Sequence, residues 1–166
     1  MSLTLNDRGF ITVKGINNNN TDNSSSNGSG KSVIFESIFW CLTGNTLRGN
    51  KTITSLFSTD GTKVELIFTV DNDEFKLVRT KDYKNIGTKL FIYINGEDKS
   101  GKGIRESEKL LNQYLPHLDT NLIGAVIILG QGLPYKFSNN SPSGRKDILE
   151  QLSNSDFMIV DLKNRV

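Results

Sequence analysis

At 166 residues and 36% apolar content, the chain has material for one compact domain or lobe and none for a long coiled coil or a second lobe. Its 20 basic and 18 acidic residues nearly cancel to a net charge of +2, so charge by itself identifies no nucleic-acid or membrane partner. A single cysteine, Cys41, cannot close an internal disulfide, and a single histidine, His117, with no cysteine cluster cannot build a standard zinc site. No apolar run approaches the roughly 20 residues of a membrane span, and Met1-Ser2-Leu3-Thr4 lacks a signal-peptide pattern, so a cytoplasmic location is expected.

In chain order, Phe10-Ile11-Thr12-Val13-Lys14 is a β-branched, apolar run ending at Gly15 and reads as a buried strand. From Ile16 to Gly30 the sequence is almost entirely Asn, Ser, Gly, Thr and Asp, residues that favour turns over regular structure. Lys31 to Thr43 has helical spacing, with Ile34, Ile38 and Leu42 at four-residue steps, Phe35 and Phe39 beside them, and Gly44 placed to end it; a largely buried helix is expected. Val64–Val70, Phe75–Arg79 and Leu90–Ile94 are strand-like. The short link Asp71-Asn72-Asp73-Glu74 fits a hairpin, so the middle section is expected to be an antiparallel meander rather than a set of parallel strands with long crossovers. Helix is expected from Ile104 to Leu115, stopped by Pro116; then a short buried strand, Ala125–Leu129, delivering Gly130-Gln131-Gly132 into a loop; then a helix from about Pro142-Ser143 carrying Ile148, Leu149 and Leu152 inward.

The chemistry concentrates in Asn27-Gly28-Ser29-Gly30-Lys31-Ser32, set between the expected strand and the expected helix as a phosphate-binding loop requires. Glycines let successive backbone N–H groups turn inward around phosphates, and the helix N-terminus adds the positive end of its dipole. Lys31 is the candidate for the β- and γ-phosphates of ATP, and the Ser32 hydroxyl for Mg²⁺. A glycine-rich turn that merely caps a helix leaves the lysine and serine at these positions unexplained. The full pattern has a glycine where Ser25 stands here, and Gly15 is the ordinary turn glycine after the strand, so about Asn17 to Ser26 reads as an insertion. Solvated surface slack is the ordinary role of such an insertion; a lid over the nucleotide is the alternative.

Gly15-Ile16-Asn17, then Ser26 through Ser32, then Glu36, Trp40, Leu42 and Gly44 resemble the nucleotide-binding start of SbcC-type DNA-repair ATPases, members of the SMC and ABC superfamily. Gly130-Gln131-Gly132, with Phe137, Arg145 and Ile148-Leu149-Glu150-Gln151-Leu152, resembles that family's Q-loop and the helix leading toward its coiled coil. Phage recombination-endonuclease ATPase subunits are the nearest likeness, while Val33 departs from the serine usual at its place. The resemblance implies a mixed α/β, P-loop NTPase fold: the N-terminal lobe of an ABC-type ATPase head over residues 1–166, with an antiparallel meander beside the P-loop helix. It implies ATP and Mg²⁺ as cofactors, with Gln131 contacting Mg²⁺ and the γ-phosphate, an assignment compatible with an amide that both donates and accepts. Its implied partners are the chain's own C-terminal lobe beyond a coiled coil, a second head in a homodimer, an SbcD-type nuclease and DNA. It also implies a further strand ahead of Leu3-Thr4-Leu5.

The family hydrolyses ATP through an apolar strand ending in Asp-Glu and a serine-glycine signature, and neither is found here, so no catalytic residue is assigned within the chain. Phe157-Met158-Ile159-Val160-Asp161 has Leu162 where the glutamate belongs and reads as helix. Two other readings stay open. A complete small P-loop kinase or GTPase would use Asp161 as a magnesium-site carboxylate close to Ser32 and would need a parallel sheet. A non-catalytic module would hold nucleotide and dimerise. Lys76, Arg79, Lys81 and Lys84 gather basic charge on or beside one strand, where DNA phosphates would dock, although a solvated strand gives the same pattern. Arg145 is a phosphate or DNA contact or simply solvated, and Cys41 is expected to pack within its helix.

Overall fold

The structure is a computed structural model that describes residues 2–16, 29–49, 52–55, 58–116, 120–128 and 137–153. The chain divides into two compact units, residues 1–35 and 36–166, and the division falls inside helix α1, Lys31–Thr43.

In the first unit, residues 10–14 do not form the strand that their composition suggests. Phe10 is 95% exposed, and among the described residues no ladder pairs with the segment. A β-branched run becomes a strand only when a neighbour accepts its N–H groups, so propensity without a partner leaves it irregular.

The second unit is organised by the expected meander. Strands β1 (Thr62–Val70), β2 (Asp73–Tyr83), β3 (Gly87–Ile94) and β4 (Glu97–Asp98) pair antiparallel in the order of the chain. Asp71 and Asn72 form the first turn with φ of 53° and 87°, the doubly left-handed geometry that matches strand twist in a two-residue hairpin. Asn95 and Gly96 repeat it at 51° and 82° and fold back the short β4, which the sequence reading did not anticipate. The register aligns Val64, Arg79 and Leu90 in one cross-strand row, Leu66, Leu77 and Ile92 in the next, and Phe68, Phe75 and Ile94 in the third. With two-residue periodicity all nine side chains share a face, and this face carries the core. Leu77 and Ile92 are fully buried, and Phe68 stacks on Phe75 with centroids 5.5 Å apart.

Helix α2 (Ile104–Tyr114) lays Leu111 and Leu115 on that face, and Cys41 and Leu42 of α1 join them. The start of α2 is capped from its own sequence, the Ser107 hydroxyl accepting the Gly101 N–H at 3.0 Å and the Glu106 carboxylate accepting the Lys102 N–H at 2.8 Å. Only the end of α1 is enclosed, at Phe39, Trp40 and Cys41, whereas Val33 and Phe35 are 65% and 47% exposed; the expectation of a largely buried helix is corrected accordingly. Apolar residues occur around the whole circumference of α1, and one sheet face with one helix covers only part of it.

A second correction concerns the expected strand at 125–129. After the short helix α3 (Thr120–Leu122), residues Ile123–Ile127 form a π-helical turn closed by the Ile128 N–H to the Ile123 carbonyl at 3.0 Å. A short apolar run has no periodicity that separates strand from helix, and here its backbone bonds locally rather than to a sheet neighbour. Leu129 lies outside the described residues. Helix α4 (Pro142–Leu152) begins where expected, with Pro142 in its first turn and the Ser141 hydroxyl accepting the Gly144 N–H at 3.2 Å. Of its three expected core residues only Ile148 is buried; Leu149 and Leu152 are about half exposed, at 54% and 51%. Among the described residues no helix is long and apolar enough to cross a membrane.

Candidate functional site

The expected phosphate loop is described from Ser29 onward, while Asn27 and Gly28 lie outside the described residues. Gly30 has φ of +80°, a left-handed conformation that favours glycine, and no neighbour within 4 Å of where a Cβ would sit. It turns the chain directly into α1, whose first two residues are Lys31 and Ser32. The Gly30 carbonyl accepts the Val33 N–H at 3.1 Å and closes the first turn. The Lys31 ammonium reaches back to the Ser29 hydroxyl at 3.1 Å, and Ser32 is exposed.

Gly15 stands against this turn. A Cβ there would overlap the Ser29 hydroxyl and lie 3.1 Å from Lys31 Nζ, so only glycine permits the approach. The two ends of the Asn- and Ser-rich stretch therefore meet, an arrangement that suits an insertion between Gly15 and the phosphate loop. A left-handed glycine, a lysine and a hydroxyl at a helix start, with a second glycine admitting close backbone approach, form a cradle that fits a polyphosphate and a hydrated divalent cation.

The resemblance residues after the loop acquire structural tasks within the second unit. Glu36 accepts the Leu47 N–H at 2.8 Å and fixes the segment after the helix. The Trp40 carbonyl accepts the Gly44 N–H at 2.9 Å, with Gly44 at φ +74°, a left-handed helix stop. Cys41 packs in the core as expected, and burial pushes its thiol up to about 11, against a smaller opposing influence of Arg79.

The structure does not assemble the basic group on β2 into one patch. Arg79 is 3% exposed, donates from Nε to the Cys41 carbonyl at 3.0 Å and pairs with Glu108 at 2.8 Å. Lys76, three residues away and therefore on the opposite face, pairs with Glu65 at 3.0 Å and holds that carboxyl below its ordinary range. Lys84 sits in a turn and pairs with Asp60 at 3.2 Å, which raises the ammonium above its ordinary value. Sequence reading missed the buried role of Arg79; the signal was its position in step with Phe75 and Leu77 along β2.

Arg145 is exposed on α4. Gln131, His117 and Asp161 lie outside the described residues, so the Q-loop and magnesium-carboxylate expectations rest on sequence. Among the described residues no three His, Cys, Asp or Glu side chains form a metal-binding group.

A mixed α/β fold with a glycine–lysine–serine turn at the head of a helix defines the P-loop NTPase class. Comparison with known proteins agrees: a family model described as AAA domain matches residues 24–161. The chain belongs to that AAA-domain family. It is also 34% identical over 133 residues to the DNA double-strand break repair Rad50 ATPase of Methanocaldococcus jannaschii, an alignment covering 78% of this chain and 12% of that relative.

Proposed function

We propose that this chain is the ATP-binding N-terminal lobe of an SMC- or SbcC-like ATPase head acting with a nuclease in DNA double-strand-break repair or recombination. The observation that carries the reading is the Gly30 turn into Lys31 and Ser32, in a chain similar to a Rad50 ATPase. Asn27, Gly28, Ser29 and Gly30 would line the phosphates with backbone N–H groups, Lys31 would bind the β- and γ-phosphates, and Ser32 with Gln131 would hold Mg²⁺. The cation supplies charge neutralisation along the triphosphate. The chain's own C-terminal lobe, a second head, an SbcD-type nuclease and DNA complete the proposed partnership, and the phage-type likeness belongs to the same proposal.

Because the sequence contains neither the Asp-Glu strand nor the serine-glycine signature, binding without turnover is the expected behaviour of the 166-residue chain. The antiparallel order of β1 to β4 supports this reading over a complete small kinase or GTPase built on a parallel sheet. The test is calorimetric titration with MgATP alongside a turnover assay on the same sample. Saturable binding that vanishes in a folded K31A variant, without turnover, is the expected result. Undiminished binding by folded K31A would remove the phosphate-loop assignment, and robust turnover by the wild-type monomer would favour the complete enzyme.

A further inference from the structure

Among the described residues one buried cation lies outside the phosphate loop and ties three elements together. Arg79, on the core face of β2, holds the Cys41 carbonyl in the last turn of α1 through Nε at 3.0 Å and Glu108 of α2 through one terminal nitrogen at 2.8 Å. The final carbonyls of a helix have no partner inside it, and a cation bonded to one both satisfies that oxygen and complements the helix dipole. Gly44 keeps the space open, since a Cβ there would lie 2.8 Å from the guanidinium and 3.1 Å from the Glu108 carboxylate. The neighbouring Trp40 and Phe39 carbonyls are taken by the Gly44 N–H at 2.9 Å and the Thr43 hydroxyl at 2.9 Å, so the end of the helix is closed by several bonds. The same continuous 13-residue helix begins with Lys31 and Ser32.

We infer that Arg79 is a positioning residue for nucleotide binding: it clamps the last turn of α1 to the meander and α2, and so fixes the helix whose first turn receives the phosphates. This inference rests on the phosphate-binding reading above. The action is positional rather than a direct field, because Glu108 neutralises the cation at 2.8 Å and leaves little net charge to act along the helix. A rigid helix transmits the constraint, and by linkage a ligand bound at one end must favour the clamped arrangement at the other.

The test uses the 166-residue chain with MgATP as the probe, comparing wild type, R79M, R79K and E108Q. Circular dichroism and a denaturant midpoint establish that each variant is folded at the assay temperature. R79M and E108Q are expected to bind MgATP about tenfold more weakly, the scale of ordinary coupling between sites, and R79K to recover part of the loss by retaining a donor and the charge. In nucleotide-free R79M the Val33 amide, which bonds Gly30 at 3.1 Å in the first turn, is expected to exchange faster than in wild type. Should R79M fail to fold, E108Q and R79K carry the comparison. Folded variants that bind within about twofold of wild type, with an unchanged Val33 exchange rate, would overturn the clamp and leave the phosphate loop intact. Absence of MgATP binding in wild type would instead strike at the phosphate-binding reading itself.

Discussion

Two glycines with nearly identical backbone angles separate conformational strain from the space that Arg79 needs. Gly44 has φ +74° and Gly49 has φ +71°, but an added Cβ meets the Arg79 guanidinium at 2.8 Å in the first case and nothing within 4 Å in the second. Both Gly→Ala changes force an L-residue into the left-handed region at about 1 kcal/mol. At Gly44 the methyl must also displace a side chain that is 3% exposed and held at 3.0 Å by the Cys41 carbonyl and 2.8 Å by Glu108. Losing one charge-assisted bond there costs about 2 kcal/mol, so G44A is expected to destabilise by about 3 kcal/mol and G49A by about 1. The assay is urea denaturation of both variants, repeated in an R79M background, where the penalty of G44A should shrink to that of G49A. If G44A and G49A cost the same in the otherwise wild-type chain, Arg79 is not confined as described and the clamp loses its structural basis.

The Cys41 thiol, fully buried and raised from 9.0 to about 11, is expected to resist alkylation at pH 8 in the native chain and to react fully in denaturant. Its folded pKa exceeds its unfolded one, so the associated stability is complete below pH 9 and lost as pH climbs toward 11, a fall of roughly 2 kcal/mol that C41A should lack when both are unfolded across that range. Truncating Leu77, which has 0% exposure at the middle of the central core row, should cost about 3 kcal/mol in chemical denaturation, whereas Ile67, 55% exposed on the opposite face of β1, should tolerate alanine with a loss below about 1 kcal/mol. Near-equal losses at the two sites would mean that the core face has been misassigned. In the complete protein, Q131A is expected to impair nucleotide-driven assembly, measured as the MgATP-dependent shift in sedimentation, and unchanged assembly and turnover would remove the sensor role of Gln131.

Local chemistry was sufficient for what the sequence determined. The Lys31–Thr43 helix ends at a glycine with positive φ, and the Ile104 helix ends before Pro116. The meander follows from β-branched runs separated by links too short for a parallel crossover, and the Asp71-Asn72 turn completes its first hairpin without help from distant residues. The candidate phosphate loop was legible for the same reason: its glycines, lysine and serine act through backbone geometry and a helix start that neighbouring residues create.

Tertiary structure decided whatever depended on a partner distant in sequence. Residues 10–14 and 125–128 have strand-like composition, yet a strand is a property of two segments, and among the described residues neither gains a ladder. The helix periodicity of Leu149 and Leu152 indicated a face but not whether anything covers it. Arg79 shows the limit most clearly. Within a run of lysines it read as surface charge, and only the register of β2, with the α1 carbonyl and Glu108 converging on its guanidinium, makes burying that cation tolerable.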